Sequence, residues 1–326
     1  MLNKQQGIRQ MKLSHKSIKK LLHGIVRVEK KKSWTTFNRF TASQQDAIVK
    51  EEFLYLRTFP SCSVTLEFKT NAKSFSFDYQ FIQILSQDSI DVWVDGFLHS
   101  TFAMKNLSKK GKIQVELADG EKTVCVYFPI DSEIQIKNLI ILGNYRSVKK
   151  GQKVLWIGDS ITQGYGTNLT SFTYVNVANR ILNYEVLNQG IGGYIYDANM
   201  IQPIDNFKPE KIIVSFGTNH YKEKDFEQRA VAFYDKIKEV YGDIPVFSVT
   251  PIWRGDFDNG HDPKALHKAG EKIMEIVSTR KNHFVVDGFT LVPCVSEMFL
   301  DNLHPNALGA EQYGLNLAKV IKKSKF

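Results

Sequence analysis

Four short polar segments of this 326-residue chain hold side chains that could carry out acyl transfer. They are GDSITQGYG (158–166), NQGIGG (188–193), GTN (217–219) and DNLHP (301–305). A serine hydroxyl such as that of Ser160 is a weak nucleophile and needs a base, which in proteins is most often a histidine. Asp301, three residues before His304, could orient that imidazole towards Ser160. The expected chemistry is nucleophilic attack by serine on an ester carbonyl.

Such a reaction also needs hydrogen-bond donors for the oxyanion that forms in the transition state. Gly193 can offer an unobstructed backbone N–H, Asn219 a side-chain amide, and Ser160 its own N–H. These residues lie far apart in sequence, so the fold has to bring them together.

Each segment follows a predicted element of a parallel sheet or lies beyond the last one. The β-branched, nearly continuous apolar runs are VLWIG (154–158), VLNQGI (186–191), IIVSFG (212–217), PVFSVT (245–250) and HFVVDGF (283–289). Runs of this kind suit strands that are covered on both faces. Helical patterns at 224–241, at 264–280 and after Pro305 alternate with them, which predicts a doubly wound α/β sheet. Ligands of such sheets bind outside the carboxyl ends of the strands.

The residues before this region predict a different architecture. Between about 33 and 143, short segments with period-two alternation are bounded by turn residues such as Asp95-Gly96 and Asp119-Gly120, as in a β-sandwich. The sequence predicts three parts: a basic N-terminal arm (1–32), a β-sandwich with jelly-roll character (33–147) and a catalytic domain (148–326). The polar segment 143–153 is the expected connection.

Taken in order, the four segments resemble the sequence blocks of the SGNH (GDSL-type) hydrolases. The resemblance covers about residues 153–320 and implies a three-layer α/β/α, flavodoxin-like domain. It implies Ser160 as nucleophile, His304 as base and Asp301 as its partner, with Ser160, Gly193 and Asn219 forming the oxyanion hole. Asp159 would support the loop. Many members have aspartate where this chain has His220, so the resemblance does not predict how the loop packs or contacts the leaving group at that residue.

A preceding β-sandwich resembles the two-domain branch that includes carbohydrate esterase family 2. The resemblance implies a serine esterase that hydrolyses short-chain acyl esters, acetyl above all, of a carbohydrate or similar small molecule. Two alternatives stay open, namely a lipase or thioesterase for longer acyl chains and a non-catalytic carbohydrate-binding protein. The candidate substrate-binding residues on strand-end loops are Tyr165, Tyr194, His220, Trp253 and Arg254.

No metal or organic cofactor is expected. His261 and His267 lack metal-ligand spacing, and GDSITQGYG matches neither phosphate-binding glycine pattern. The three cysteines lie far apart, which favours reduced thiols.

The net charge of +9 lies in the N-terminal arm, because residues 1–32 hold ten Lys or Arg and one acid. The remaining chain is balanced, which argues against a nucleic-acid partner. A helix docked on its own protein is favoured over membrane contact for this arm. It lacks the continuous apolar core of a secretory signal, so a cytoplasmic location is expected.

Overall fold

The computed structural model describes residues 12–324, so residues 1–11 of the predicted basic arm lie outside the described part of the chain. Two antiparallel sheets come first and a parallel sheet follows. Within residues 12–324, no helix is both long and apolar enough to cross a membrane.

The first antiparallel sheet has six strands. They are β1 (Leu22–His23), β4 (Thr65–Thr70), β6 (Ser89–Val94), β7 (Phe97–Ala103), β9 (Lys122–Tyr127) and β11 (Tyr145–Ser147). Their order is β1-β4-β9-β6-β7, with β11 paired to β4. The segment expected to be a connection, 143–153, therefore contributes a strand to the sandwich.

The second antiparallel sheet has five strands in the order β2-β3-β10-β5-β8. They are β2 (Arg27–Lys31), β3 (Trp34–Asn38), β5 (Ser74–Ile84), β8 (Lys110–Glu116) and β10 (Ser132–Ile141). Phe68 and Val126 of the first sheet share one buried apolar cluster with Phe77 and Ile134 of the second. The two sheets thus face each other across a common core.

The described part of the basic arm belongs to this sandwich. Ile18, which lies on α1 (His15–Lys19), is buried together with Leu21 in the sandwich core. Strand β2 pairs with β3 so that Lys31 faces Trp34. The sequence-based boundary at residue 32 therefore falls inside a hairpin, because basic residues on the outer face of an edge strand obscured the strand pattern.

The parallel sheet is the frame of the second half of the chain. Its strands, in the order β13-β12-β14-β15-β16, are β12 (Lys153–Gly158), β13 (Glu185–Gly190), β14 (Lys211–Ser215), β15 (Val246–Val249) and β16 (His283–Val286). The order reverses between β12 and β14, and such a switch point is where ligands of doubly wound sheets bind.

Helices cover both faces of the parallel sheet. They are α4 (Ser160–Gln163), α5 (Tyr174–Leu182), α6 (Phe226–Tyr241), α7 (Pro263–Ser278) and α8 (Ala307–Lys323). Helices α5 and α8 pack with Trp156 and Phe247 on one face, whereas α6 and α7 pack with Leu155 and Val214 on the other. The result is the three-layer α/β/α domain that the alternating pattern predicted.

The part of the sandwich domain between β3 and β4 has no strand pattern and packs against the α/β domain. It contains α2 (Ala42–Ala47), which begins with a capping box at Thr41, and α3 (Glu52–Leu56). Phe40 and Ile48 of this segment are buried in the same apolar cluster as Leu187 and Ile191 of the α/β domain. The segment 38–63 is therefore docked against the edge strand β13 and the loop that follows it.

Candidate active site

Ser160 lies where β12 ends and the short helix α4 begins. The Asp159 carboxylate caps this helix by accepting a hydrogen bond from the Ile161 N–H at 3.0 Å. Burial raises the pKa of Asp159 to about 7, although that N–H acts in the opposite direction. Asp159 thus shapes the turn, and it holds Ser160 at the helix start, where backbone N–H groups have no helical partner.

Three of the predicted residues form a continuous hydrogen-bonded chain. The Ser160 hydroxyl lies 2.9 Å from His304 Nε2, and His304 Nδ1 lies 2.8 Å from Asp301 Oδ2. The backbone N–H of His304 also donates to Asp301 Oδ1 at 2.7 Å, which fixes the turn. A proton on Nδ1 pointing at the carboxylate leaves Nε2 free to accept the serine proton.

The electrostatics of Asp301 suit the role of an orienting carboxylate. Partial burial acts to raise its pKa, but hydrogen bonds from the backbone and ring of His304 outweigh that effect, and the pKa is lowered overall. The carboxylate is therefore ionised at neutral pH, as stabilisation of an imidazolium requires.

The residues that follow α4 hold the imidazole in place. The ring centres of Tyr165 and His304 lie 4.7 Å apart in an edge-to-face arrangement. Gly166 has φ +97°, and a Cβ there would lie 2.8 Å from the His304 Cβ. A larger residue at position 166 would displace the histidine, so the glycine of the GYG sequence serves the site directly.

The expected oxyanion donors follow β13 and β14, on either side of β12. Within residues 12–324, the backbone N–H groups of Ser160 and Gly193 have no protein acceptor. The Asn219 amide donates one hydrogen bond to the Tyr194 carbonyl at 3.0 Å, which leaves its second hydrogen for another partner. Since Asn219 is exposed, that hydrogen is accessible to a ligand.

Of the candidate substrate-binding residues, Tyr165 lies at the site and is 40% exposed. Tyr194, in contrast, is buried, and its hydroxyl donates to Asp197 at 2.8 Å. Its ring packs in the core of the α/β domain. His220 follows Asn219 and stands where many members of the resembled family have aspartate. Its Nε2 lies 2.7 Å from Asp225 Oδ1.

Trp253 and Arg254 are engaged with the protein rather than free. The Trp253 indole donates to the Phe289 carbonyl at 2.9 Å. Arg254 forms two hydrogen bonds to Asp256, at 2.6 and 2.7 Å, and a third to the Thr218 carbonyl. Asp256 neutralises the charge of Arg254, which argues against a salt bridge between Arg254 and an anionic substrate. The hydrogen bond from Arg254 to the Thr218 carbonyl positions the loop that carries Asn219.

An open polar groove of about 210 Å³ begins at Asn219. Besides that residue, Thr218, His220, Arg254 and Gly260 line it. The Gly255 N–H donates to the Asn302 carbonyl at 2.6 Å, so this loop is bonded to the turn that carries His304. The groove therefore lies on the β14 side of the sheet, beside the expected oxyanion donor Asn219.

Residues of the sandwich domain contact the opposite side of the site, and the sequence pattern did not reveal them. A Cβ at Gly193 would lie 2.9 Å from the Phe53 ring, and one at Gly192 would lie 3.0 Å from Arg57. The Gly192 N–H donates to Gln163 Oε1 at 2.7 Å, and Gln163 donates to Asp131 of the sandwich. No local motif marks these residues, since each contact joins distant parts of the chain.

The described residues contain no group of three or more His, Cys, Asp or Glu side chains that could hold a metal ion.

Known proteins resemble this chain in sequence over its α/β domain and in fold. Residues 156–312 match the GDSL-like lipase/acylhydrolase family. No curated protein matches the chain significantly.

Solved structures share the fold at low sequence identity. A putative GDSL-like lipase from Bacteroides ovatus has 17% identity and a TM-score of 0.75, with 96% of this chain and 97% of that chain covered. The salicylyl-acyltransferase SsfX3 from a tetracycline biosynthetic pathway has 17% identity and a TM-score of 0.74, with 92% and 93% covered. A family two carbohydrate esterase from Clostridium thermocellum has 15% identity and a TM-score of 0.63, with 81% and 93% covered. Over residues 156–312 the chain matches the GDSL-like lipase/acylhydrolase family, and these three solved structures share its fold.

Proposed function

We propose that the protein is a serine esterase that hydrolyses short-chain acyl esters carried by a carbohydrate. The observation that carries this proposal is the hydrogen-bonded chain from the Ser160 hydroxyl through His304 to Asp301. The match of residues 156–312 to an acylhydrolase family supports the reaction class.

In the proposed mechanism, His304 accepts the Ser160 proton as the serine oxygen attacks the ester carbonyl. The oxyanion is stabilised by the N–H groups of Ser160 and Gly193 and by the Asn219 amide. His304 then gives its proton to the departing alcohol and afterwards activates the water that releases the acid from the serine. The ion pair with Asp301 stabilises the imidazolium in both steps.

Two observations support a carbohydrate as the alcohol. The groove beside Asn219 has a polar lining, as hydroxyl groups of a sugar would require. Structural neighbours include a family two carbohydrate esterase and an acetyl xylan esterase. A lipase would need an apolar channel on this side of the serine instead.

The test is hydrolysis of p-nitrophenyl acetate and of acetylated oligosaccharides by the full chain, with acetate release as the readout. Ser160→Ala should abolish turnover, whereas the matched control Ser278→Ala, at the exposed end of α7, should keep the wild-type rate. Unchanged turnover in Ser160→Ala would contradict the mechanism. A rate that continues to rise through long-chain esters such as p-nitrophenyl palmitate would instead indicate a lipase or thioesterase, and sugar binding without ester turnover would indicate a binding protein.

A further inference from the structure

Phe53 of the sandwich domain is an aromatic side chain that the proposed mechanism does not use. It lies on α3 and is 58% exposed, although most aromatic rings of the domain are buried. The Arg57 guanidinium lies 3.7 Å from the centre of its ring, and Arg57 Nη1 donates to the Phe53 carbonyl at 3.0 Å. Arg57 thus supports one face of the ring and leaves the remainder open to solvent.

The ring lies against the loop that carries a predicted oxyanion donor. Gly193 has φ +81°, and an added Cβ there would lie 2.9, 3.7 and 3.8 Å from three ring carbons of Phe53. The Phe53 ring therefore lies directly beside Gly193. A carbonyl oxygen bound by the Gly193 N–H would bring the rest of its ester within a few ångströms of the ring.

The two sides of the serine differ in polarity. Strand β12, which ends just before Ser160, lies between β13 and β14. The polar groove follows β14 and is bonded to the turn of His304, the group that must protonate the departing alcohol. The alcohol thus belongs on the β14 side, which leaves the β13 side, with Phe53, for the acyl group.

We propose that Phe53 is a specificity-determining residue that forms the wall of the acyl-binding site. It favours esters whose acyl group has an apolar body larger than the methyl of acetate. This inference depends on the proposed esterase function and deepens it. An acetyl methyl would cover little of the exposed ring, whereas a butyryl or arylacetyl group would remove much of its surface from water.

The experiment measures kcat/KM for p-nitrophenyl acetate, butyrate and phenylacetate, which share one leaving group. In Phe53→Ala, kcat/KM for the phenylacetate should fall about threefold to tenfold relative to the acetate, the effect expected of one aromatic contact. Phe53→Leu should retain most of the butyrate activity. Phe97→Ala is the matched control, since Phe97 is a 77% exposed phenylalanine at a sandwich hairpin.

A second series keeps the acyl group constant and varies the alcohol, from p-nitrophenyl acetate to acetylated sugars. Phe53→Ala should leave this dependence unchanged. Equal losses for all acyl groups, or a changed preference for the alcohol alone, would overturn the inference. If the wild type hydrolysed no ester, the proposed function would fail. The acyl wall would then be tested separately by calorimetry, where phenylacetate should bind the wild type more tightly than Phe53→Ala, and equal binding would overturn it.

Discussion

Arg39 provides a quantitative test of how the sandwich domain supports the site. Its side chain is 1% exposed and donates hydrogen bonds to four backbone carbonyls, those of Arg57, Pro60, Asn188 and Gly190, at 2.7 to 2.9 Å. Strand β13 is at the edge of the parallel sheet, so its outer carbonyls at 188 and 190 have no neighbouring strand. The Arg39 Nη1 group donates to both of these carbonyls. Gly190 is three residues before Gly193, so this contact holds the start of the loop that carries Gly193.

The expected effect of Arg39→Met follows from these contacts. Each carbonyl left without a donor in a dry interior costs about 1–3 kcal/mol. Burial also lowers the pKa of Arg39, so removal of its charge recovers part of that cost. We expect a net loss of about 3–5 kcal/mol in the free energy of unfolding, comparable to the disruption of other buried charged networks.

The assay combines guanidinium unfolding with turnover of p-nitrophenyl acetate. Without the hydrogen bond from Arg39 to the Gly190 carbonyl, the loop that carries Gly193 should move. Misplacement of a catalytic group by about 1 Å can cost about a hundredfold in rate. We expect kcat to fall about tenfold to a hundredfold. Arg39→Lys should lie between the two proteins, because an ammonium can donate to at most three of the four carbonyls.

Arg27→Met is the matched control. Arg27 lies in the same domain and donates one hydrogen bond, to Gln45, while its side chain is 33% exposed. Its loss should cost less than about 1 kcal/mol. If Arg39→Met destabilised the protein no more than this control does, the carbonyl-anchoring argument would be wrong.

Two further predictions concern the oxyanion site and the pH dependence of stability. Asn219→Ala should lower kcat about 10²–10³-fold with little change in stability, as for loss of one oxyanion donor; a loss below threefold would exclude Asn219 from that role. Burial raises the pKa of Asp88 from 3.8 to about 7, although the N–H groups of Asp131 and Ile130 act to lower it. Between these values the folded state keeps a proton that the unfolded state has released, so stability falls as pH rises, by at most about 1.4 kcal/mol per pH unit. Asp88→Asn should therefore reduce the stability difference between pH 5 and pH 8 in urea unfolding, and an unchanged difference would refute the assignment.

The sequence by itself determined the elements of the parallel sheet and the positions of the chemistry. Continuous β-branched runs predict buried strands, and the predicted runs 154–158 and 212–217 overlap β12 and β14 closely. The sequence predicted the catalytic roles of Ser160, Asp301 and His304 because these residues lie in two short motifs. Asp301 and His304 are three residues apart and share one of them. Local patterns of this kind depend on neighbours in sequence, so they can be read without a structure.

Only the tertiary structure decided which surrounding residues reach the site and which do not. Tyr194 and Trp253 follow strands as substrate-binding residues would, yet their rings pack into the protein. Phe53 and Arg39 carry no motif. Phe53 meets the loop after β13 and Arg39 meets the end of β13, each across more than 130 residues of chain. Contacts between such distant segments depend on how two domains dock, and docking is determined by the shape and polarity of whole surfaces rather than by any local pattern.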